Sequence, residues 1–169
     1  MPAVRKKLCQ MCFESFPEDQ IVSAGAKLVC PACAERAGVR VIDFSRRAID
    51  FGREIFRCLV ADDIDKFHEL FLTAEEVPLA VGETATPDHA ALIRGRAERD
   101  FRSKRAHYFR EPLPAEFVDF RLGPIEGGSR DVQRFGRSIL RFEVGGKERT
   151  IVIQRVFNVK GKFKLEFFE

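Results

Sequence analysis

An α+β fold is predicted by three features of the sequence. Two Cys-x-x-Cys doublets stand near its start, apolar residues recur at helical spacing from about residue 43 to residue 108, and apolar and polar residues then alternate to the end. The expected architecture is a small metal-binding module over residues 1–40 and a second domain over residues 43–169, where helices pack on a curved four-stranded antiparallel sheet.

The composition, 45% hydrophobic and 33% charged, suits a globular chain with a genuine core. Seventeen phenylalanines against one tyrosine and no tryptophan direct the aromatic content to apolar packing, which counts against a sugar-binding or base-stacking face. No run reaches the ~20 apolar residues of a membrane span. Met1 to Lys7 lead into Cys9 without the apolar core of a secretory signal, so a cytoplasmic location is expected, where reduced thiols favour metal over disulfide. The formal charge of +3 falls to roughly +1 if four thiolates bind one divalent ion, so bulk charge predicts no polyanion partner.

The doublets are Cys9-x-x-Cys12 and Cys30-x-x-Cys33. Each can curl so that two thiolates point the same way, and together they supply four tetrahedral sulfur ligands for a structural Zn2+. Iron held by the same four sulfurs is the main rival. A redox disulfide fits less well, and a catalytic zinc is disfavoured because four sulfurs leave no position for water. Between the doublets, Ile21-Val22-Ser23 and Lys27-Leu28-Val29 flank Ala24-Gly25-Ala26 as a short hairpin; after Cys33, Ala34 to Ala37 reads as helix with Gly38 as its end. A Cys33 in the first helical turn gains from the helix dipole, which favours its thiolate. The order of knuckle, hairpin and knuckle opening a helix resembles the treble-clef and zinc-ribbon families. The loop length is also similar to the four-cysteine finger of the DksA/TraR family, but the coiled coil and acidic tip of that family are absent. The fifth cysteine, Cys58, lies beside Phe56 and Leu59 in an apolar helix and reads as a small buried residue.

In the second domain, Phe44, Ala48, Ile49, Phe51, Ile55, Phe56 and Leu59 form a broad apolar helical face. Asp62 or Asp63 caps a short helix carrying Ile64, Phe67, Leu70 and Phe71, and Thr73-x-x-Glu76 is a capping box for a third. Thr86-Pro87-Asp88 opens a longer helix whose stripe of Ala90, Ile93, Ala97, Phe101 and Tyr108 faces inward. Its outward cations, Arg94, Arg96, Arg99, Arg102, Lys104 and Arg105, have two readings: pairing with the acidic stretch of residues 41–88, or a stripe that meets phosphates.

Alternation then takes over. Val118, Phe120 and Leu122, next Leu140, Phe142 and Val144, and last Phe163, Leu165 and Phe167 are expected on the core side, with Asp119, Lys164 and Glu166 among the residues on the other. Residues 149–159, apolar on both faces, read as a central strand. Gly145-Gly146 and Lys160-Gly161 are hairpin turns, giving a meander of the last three strands, and Gly123 to Gly128 reads as a turn.

A helical first half containing Ala61-Asp62-Asp63-Ile64-Asp65-Lys66-Phe67, followed by a sheet ending in Val156-Phe157-Asn158-Val159-Lys160-Gly161-Lys162-Phe163-Lys164-Leu165, resembles the nuclear transport factor two-like (SnoaL-like) superfamily. Phe163 stands where that superfamily usually carries a tryptophan. The resemblance implies a cone-shaped domain of a kind that either houses an acid/base site or dimerises without catalysis. Candidates for acid and base are Asp119, His68, His107 and Tyr108, each with a plainer reading as a solvated or packed residue. The leading functional expectation is a noncatalytic zinc-binding adaptor with a protein partner, including a second copy of itself. The alternatives are a small-molecule carrier or isomerase/cyclase-type enzyme using the cone, and a nucleic-acid-associated regulator using the finger and the basic helix.

Overall fold

The computed structural model describes residues 5–24, 27–37, 44–82, 86, 88–129 and 131–167. The chain divides into two compact units, Met1–Asp43 and Phe44–Glu169. Among the described residues no helix is long and apolar enough to cross a membrane.

The smaller unit contains two hairpins and a short helix. Strands β1 (Lys6–Leu8) and β2 (Ser15–Pro17) pair antiparallel around the first doublet, and β3 (Val22–Ala24) pairs with β4 (Lys27–Val29). The second hairpin is the expected one; Gly25, Ala26 and the proposed helix end Gly38 lie outside the described residues. The first hairpin has no periodic signal, because Lys6, Lys7 and Leu8 are all exposed. Its register is set by the knuckle itself: the Cys9 amide donates to the Glu14 carbonyl and the Phe13 amide to the Cys9 carbonyl, both at 2.9 Å. Helix α1 (Pro31–Arg36) starts with Cys30 as its N-cap, which places Cys33 in the first turn.

The larger unit begins with α2 (Phe44–Ala61), which buries Ala48, Phe51, Ile55, Phe56, Cys58 and Leu59. The chain turns at Asp62, whose φ of 58° ends the helix, and the Asp63 carboxylate then accepts the Lys66 amide at 3.0 Å to cap α3 (Ile64–Glu69). Before α4 (Val77–Val81) the capping box is reciprocal. The Thr73 amide donates to Glu76 Oε2 at 3.0 Å and the Glu76 amide to Thr73 Oγ1 at 3.3 Å. Helix α5 (Asp88–Tyr108) buries Ile93, Ala97 and Phe101 on the expected stripe. Pro87 lies outside the described residues, but the Thr86 carbonyl accepts the His89 amide as a helix start requires.

Helices and antiparallel sheets make the unit α+β as read, with more strands than the alternation marks. A three-stranded sheet has the order β5 (Ala115–Arg121), β8 (Ser138–Val144), β9 (Lys147–Ile153). A four-stranded sheet has the order β11 (Lys162–Phe167), β10 (Arg155–Val159), β7 (Val132–Phe135), β6 (Ile125–Gly128). The run read as one central strand bends at Gln154, so its first half pairs with β8 and its second half with β7 and β11. A strand that changes sheets at a bend turns a corner, which replaces the single four-stranded sheet with two sheets sharing one continuous chain. Both tight hairpins stand. Gly145 and Gly146 have φ of 57° and 73°, and Lys160 and Gly161 have 49° and 87°, the left-handed pair that a two-residue turn of this hand needs.

Two face assignments are corrected. The register of β5 against β8 shifts between Phe117 and Asp119, so Val118 is the extra residue and is exposed, while Phe117 turns toward the core with Phe120. Glu166, expected on the polar face of β11, is 2% exposed. It is met there by Arg155 at 3.2 Å and by His89 of α5 at 3.5 Å.

Phenylalanine rings fill the interior. Phe142 lies 5.4 Å from Phe109 in a stacked pair and 5.7 Å from Phe56; Phe67 and Phe101 are 4.6 Å apart. Helix α2 rests directly on β5 at Gly52, where even one added methyl would collide with Phe120. Burying each such ring contributes about 1.5–3 kcal/mol.

Candidate metal centre

The first doublet is shaped by the turn from β1 to β2, and the second by the passage from β4 into α1. Gln10 stitches the two together. Its amide donates to the Leu28 carbonyl at 2.8 Å, and its side-chain oxygen accepts the Leu28 amide at 2.8 Å. Held in this way, the four Sγ atoms of Cys9, Cys12, Cys30 and Cys33 lie within 4.8 Å of one another. Cys12 and Cys30 are 3.9 Å apart, too far for a disulfide and close to the edge of about 3.8 Å that four sulfurs 2.3 Å from a tetrahedral ion define. The geometry therefore can hold a metal ion. Cys9, Cys30 and Cys33 are buried, with Val29 and Ala34 beside them and Phe16, Ile21 and Val22 packed around.

The thiols are not equivalent. Burial works against a charged Cys9, but the amides of Cys12, Cys30 and Met11 point at its sulfur and outweigh that cost, bringing it down to about 6; the Cys30 amide is 3.2 Å away. Cys33 is pushed the other way, to about 12, first by its interaction with Cys30 and then by burial. Four thiols this close cannot all ionise on their own, and a divalent cation at their centre removes the conflict. Arg36, one turn along α1, places a guanidinium nitrogen 3.8 Å from Cys33 Sγ, against the net negative charge that four thiolates and one divalent ion leave. Four sulfurs complete a tetrahedral shell and leave no open position for water or substrate.

Of the remaining candidates, His107 and Tyr108 adjoin and line one cleft of the larger unit, whose lining does not include Asp119 or His68. Asp119 accepts its neighbour's amide from Phe120 and pairs with Arg121 at 3.1 Å. His107 is exposed and touches Tyr108 edge-on, and the Tyr108 hydroxyl donates to the Thr150 carbonyl at 3.4 Å. His68 is half-buried on α3, its Nε2 without a hydrogen-bond partner among the described residues. Cys58 is enclosed in α2, and burial, aided by Glu54 and Asp63, pushes its thiol up to about 12, the state of an inert packed residue.

The cations of α5 divide. Arg96 pairs with Asp100 at 3.8 Å and Arg102 with Glu98 at 2.7 Å, both along the helix. Arg105 reaches Asp62 at 2.9 Å and the Leu59 carbonyl, tying α5 to the end of α2. Arg94 and Arg99 are exposed, and Lys104 is half-buried.

Two features carried no sequence signal. The first is the Glu166, Arg155 and His89 cluster, since a glutamate in an alternating strand reads as solvated. The second is Phe13, which is 72% exposed and held at φ 60° directly after Cys12. Met11 and Leu8 beside it in sequence are exposed as well. A bulky side chain in that backbone region costs about 1–2 kcal/mol, which glycine would avoid. Comparison with known proteins finds no family model, no curated protein and no solved structure that matches the chain.

Proposed function

We propose that the chain is a noncatalytic adaptor of the cytoplasm. In this reading Cys9, Cys12, Cys30 and Cys33 hold one structural Zn2+ in a finger of the zinc-ribbon or treble-clef kind. The finger presents Phe13, with Met11 and Leu8, to a protein partner. The larger unit is a nuclear transport factor two-like (SnoaL-like) domain that dimerises through its open sheet face.

The observation that carries the reading is Phe13. Its ring gains nothing from the core, and its backbone is strained, so folding alone does not account for a phenylalanine there. Exposed aromatic anchors are a common source of binding energy at protein interfaces. An isomerase-type reading has less behind it, because phenylalanine rings fill the interior and, of the four acid/base candidates, it is the sequence neighbours His107 and Tyr108 that meet, at the surface and without Asp119 or His68. A nucleic-acid reading is weakened by the ion pairs of Arg96, Arg102 and Arg105.

The test combines three measurements. Elemental analysis of the purified chain is expected to give one zinc per chain, and its mass in solution that of a dimer. Phe13→Gly is expected to keep the zinc and lose a partner captured by the parent protein. A monomer without bound zinc or iron, or a Phe13→Gly protein that retains the same partner, contradicts the reading; iron in place of zinc would correct the metal alone.

A further inference from the structure

At the C-terminal end of α5 the larger unit opens into a cleft of about 730 Å³. One wall comes from the end of the helix and the connector to β5, with Tyr108, Arg110 and Leu113; the opposite wall is the β8–β9 hairpin, with Val144, Lys147 and Arg149. That volume is in the range of small-molecule pockets, roughly 300–1,000 Å³.

The strand register explains why cations line it. Lys147 is paired with Val144 and Arg149 with Phe142, and cross-strand partners project from the same face of a sheet. Lys147 and Arg149 therefore point to the side that buries Phe142 and Val144, at the rim where the core ends, and both are exposed. On the other face of the same hairpin Arg141 donates twice to Glu148, at 3.0 and 2.8 Å, and Glu143 stands opposite Glu148. Across the cleft, Arg110 is exposed too. Among the described residues, none of Arg110, Lys147 and Arg149 has an ion-pair partner, and Glu111 is the one acid in the lining. Gathering three like charges around a concavity raises the local potential, which an anion relieves.

The rest of the lining mixes the polar His107 and Glu111 with Ala106, Tyr108, Leu113, Val144 and Gly145. The Gly145 amide donates to the Pro114 carbonyl at 2.8 Å, and the turn lies against Leu113, so the hairpin and the connector are tied at the floor. Tyr108, half-buried, is held by its bond to Thr150. We propose that this cleft binds a small organic anion: a phosphate or carboxylate held by Arg110, Lys147 and Arg149, attached to an apolar group lying on Tyr108, Leu113 and Val144. A nucleic-acid strand fits less well, because further along α5 Arg96, Arg102 and Arg105 are each paired with a carboxylate.

The lining residues all belong to the larger unit, and the experiment uses the full chain with zinc supplied and follows backbone amide shifts. The probes are inorganic phosphate, phenyl phosphate, benzoate and a single-stranded oligonucleotide, each at low salt. Phenyl phosphate or benzoate is expected to shift residues 106–113 and 144–149, the better of the two reporting which head group the cations prefer. Phenyl phosphate should bind more tightly than inorganic phosphate. Combined Arg110→Gln, Lys147→Gln and Arg149→Gln should weaken binding at least about tenfold, with the melting temperature unchanged because all three side chains are exposed. Arg102→Gln should leave it as it was. The proposal is overturned by shifts that fail to cluster at the cleft, by equal binding of the triple variant, by phenyl phosphate binding no better than phosphate, or by an oligonucleotide that binds best of all and shifts residues 94–105.

Discussion

Among the described residues the smaller unit buries five hydrophobic side chains, three of them cysteines; the larger unit buries twenty-six, ten of them phenylalanine. Five side chains cannot offset the entropy of ordering the 31 described residues of that unit, whereas the phenylalanine core belongs to a domain of ordinary size. The smaller unit is therefore built so that its cohesion comes from whatever joins the sulfurs, and the larger unit so that it comes from apolar area. One chain thus contains two answers to the same entropic problem, and each fails under different treatment.

The largest contrast is between two buried cysteines. Cys33→Ser removes a ligand and should abolish metal binding and the fold of residues 5–37, since structural zinc contributes an apparent 10–16 kcal/mol in small fingers. Cys58→Ser should leave metal content unchanged and lower only the stability of the larger unit; elemental analysis of both variants checks this. Next in size, Phe142→Ala empties the meeting point of Phe56, Tyr108 and Phe109 and should cost about 3–5 kcal/mol in denaturant unfolding of the larger unit, with metal affinity untouched. Gly52→Ala, a change that normally favours a helix, should instead destabilise by about 1–3 kcal/mol because its methyl meets Phe120. The smallest effect is expected from Thr73→Ala, which breaks the reciprocal capping box before α4 for about 1 kcal/mol. A Gly52→Ala protein more stable than its parent would show that α2 does not lie on β5 as closely as described.

The same contrast governs what the sequence made legible. The four-cysteine cluster was readable because cysteine identity and spacing mark it directly, and α2 was readable because eighteen residues give several turns over which a helical stripe repeats. The hairpin turns were readable from their glycines. Strands β1, β2 and β6 were not, because their residues are exposed or only partly buried, and an unburied strand has no reason to alternate. Val118 and Glu166 misled for a different reason. A bulge shifts the phase of β5 by one residue, and a carboxylate can enter a core when an arginine and a histidine arrive from elsewhere in the chain; both depend on partners distant in sequence. Phe13 is a third case, since apolar composition alone does not say which apolar residue is left outside.

The most direct test of this division is amide hydrogen exchange, residue by residue, before and after a chelator strips the metal under reducing conditions. Protection should vanish across residues 5–37, including the Gln10–Leu28 stitch, while Ile55, Phe101, Phe142 and Val156 in the larger unit exchange as slowly as before. Retention of protection in the finger without metal, or its loss in both units together, would contradict the division.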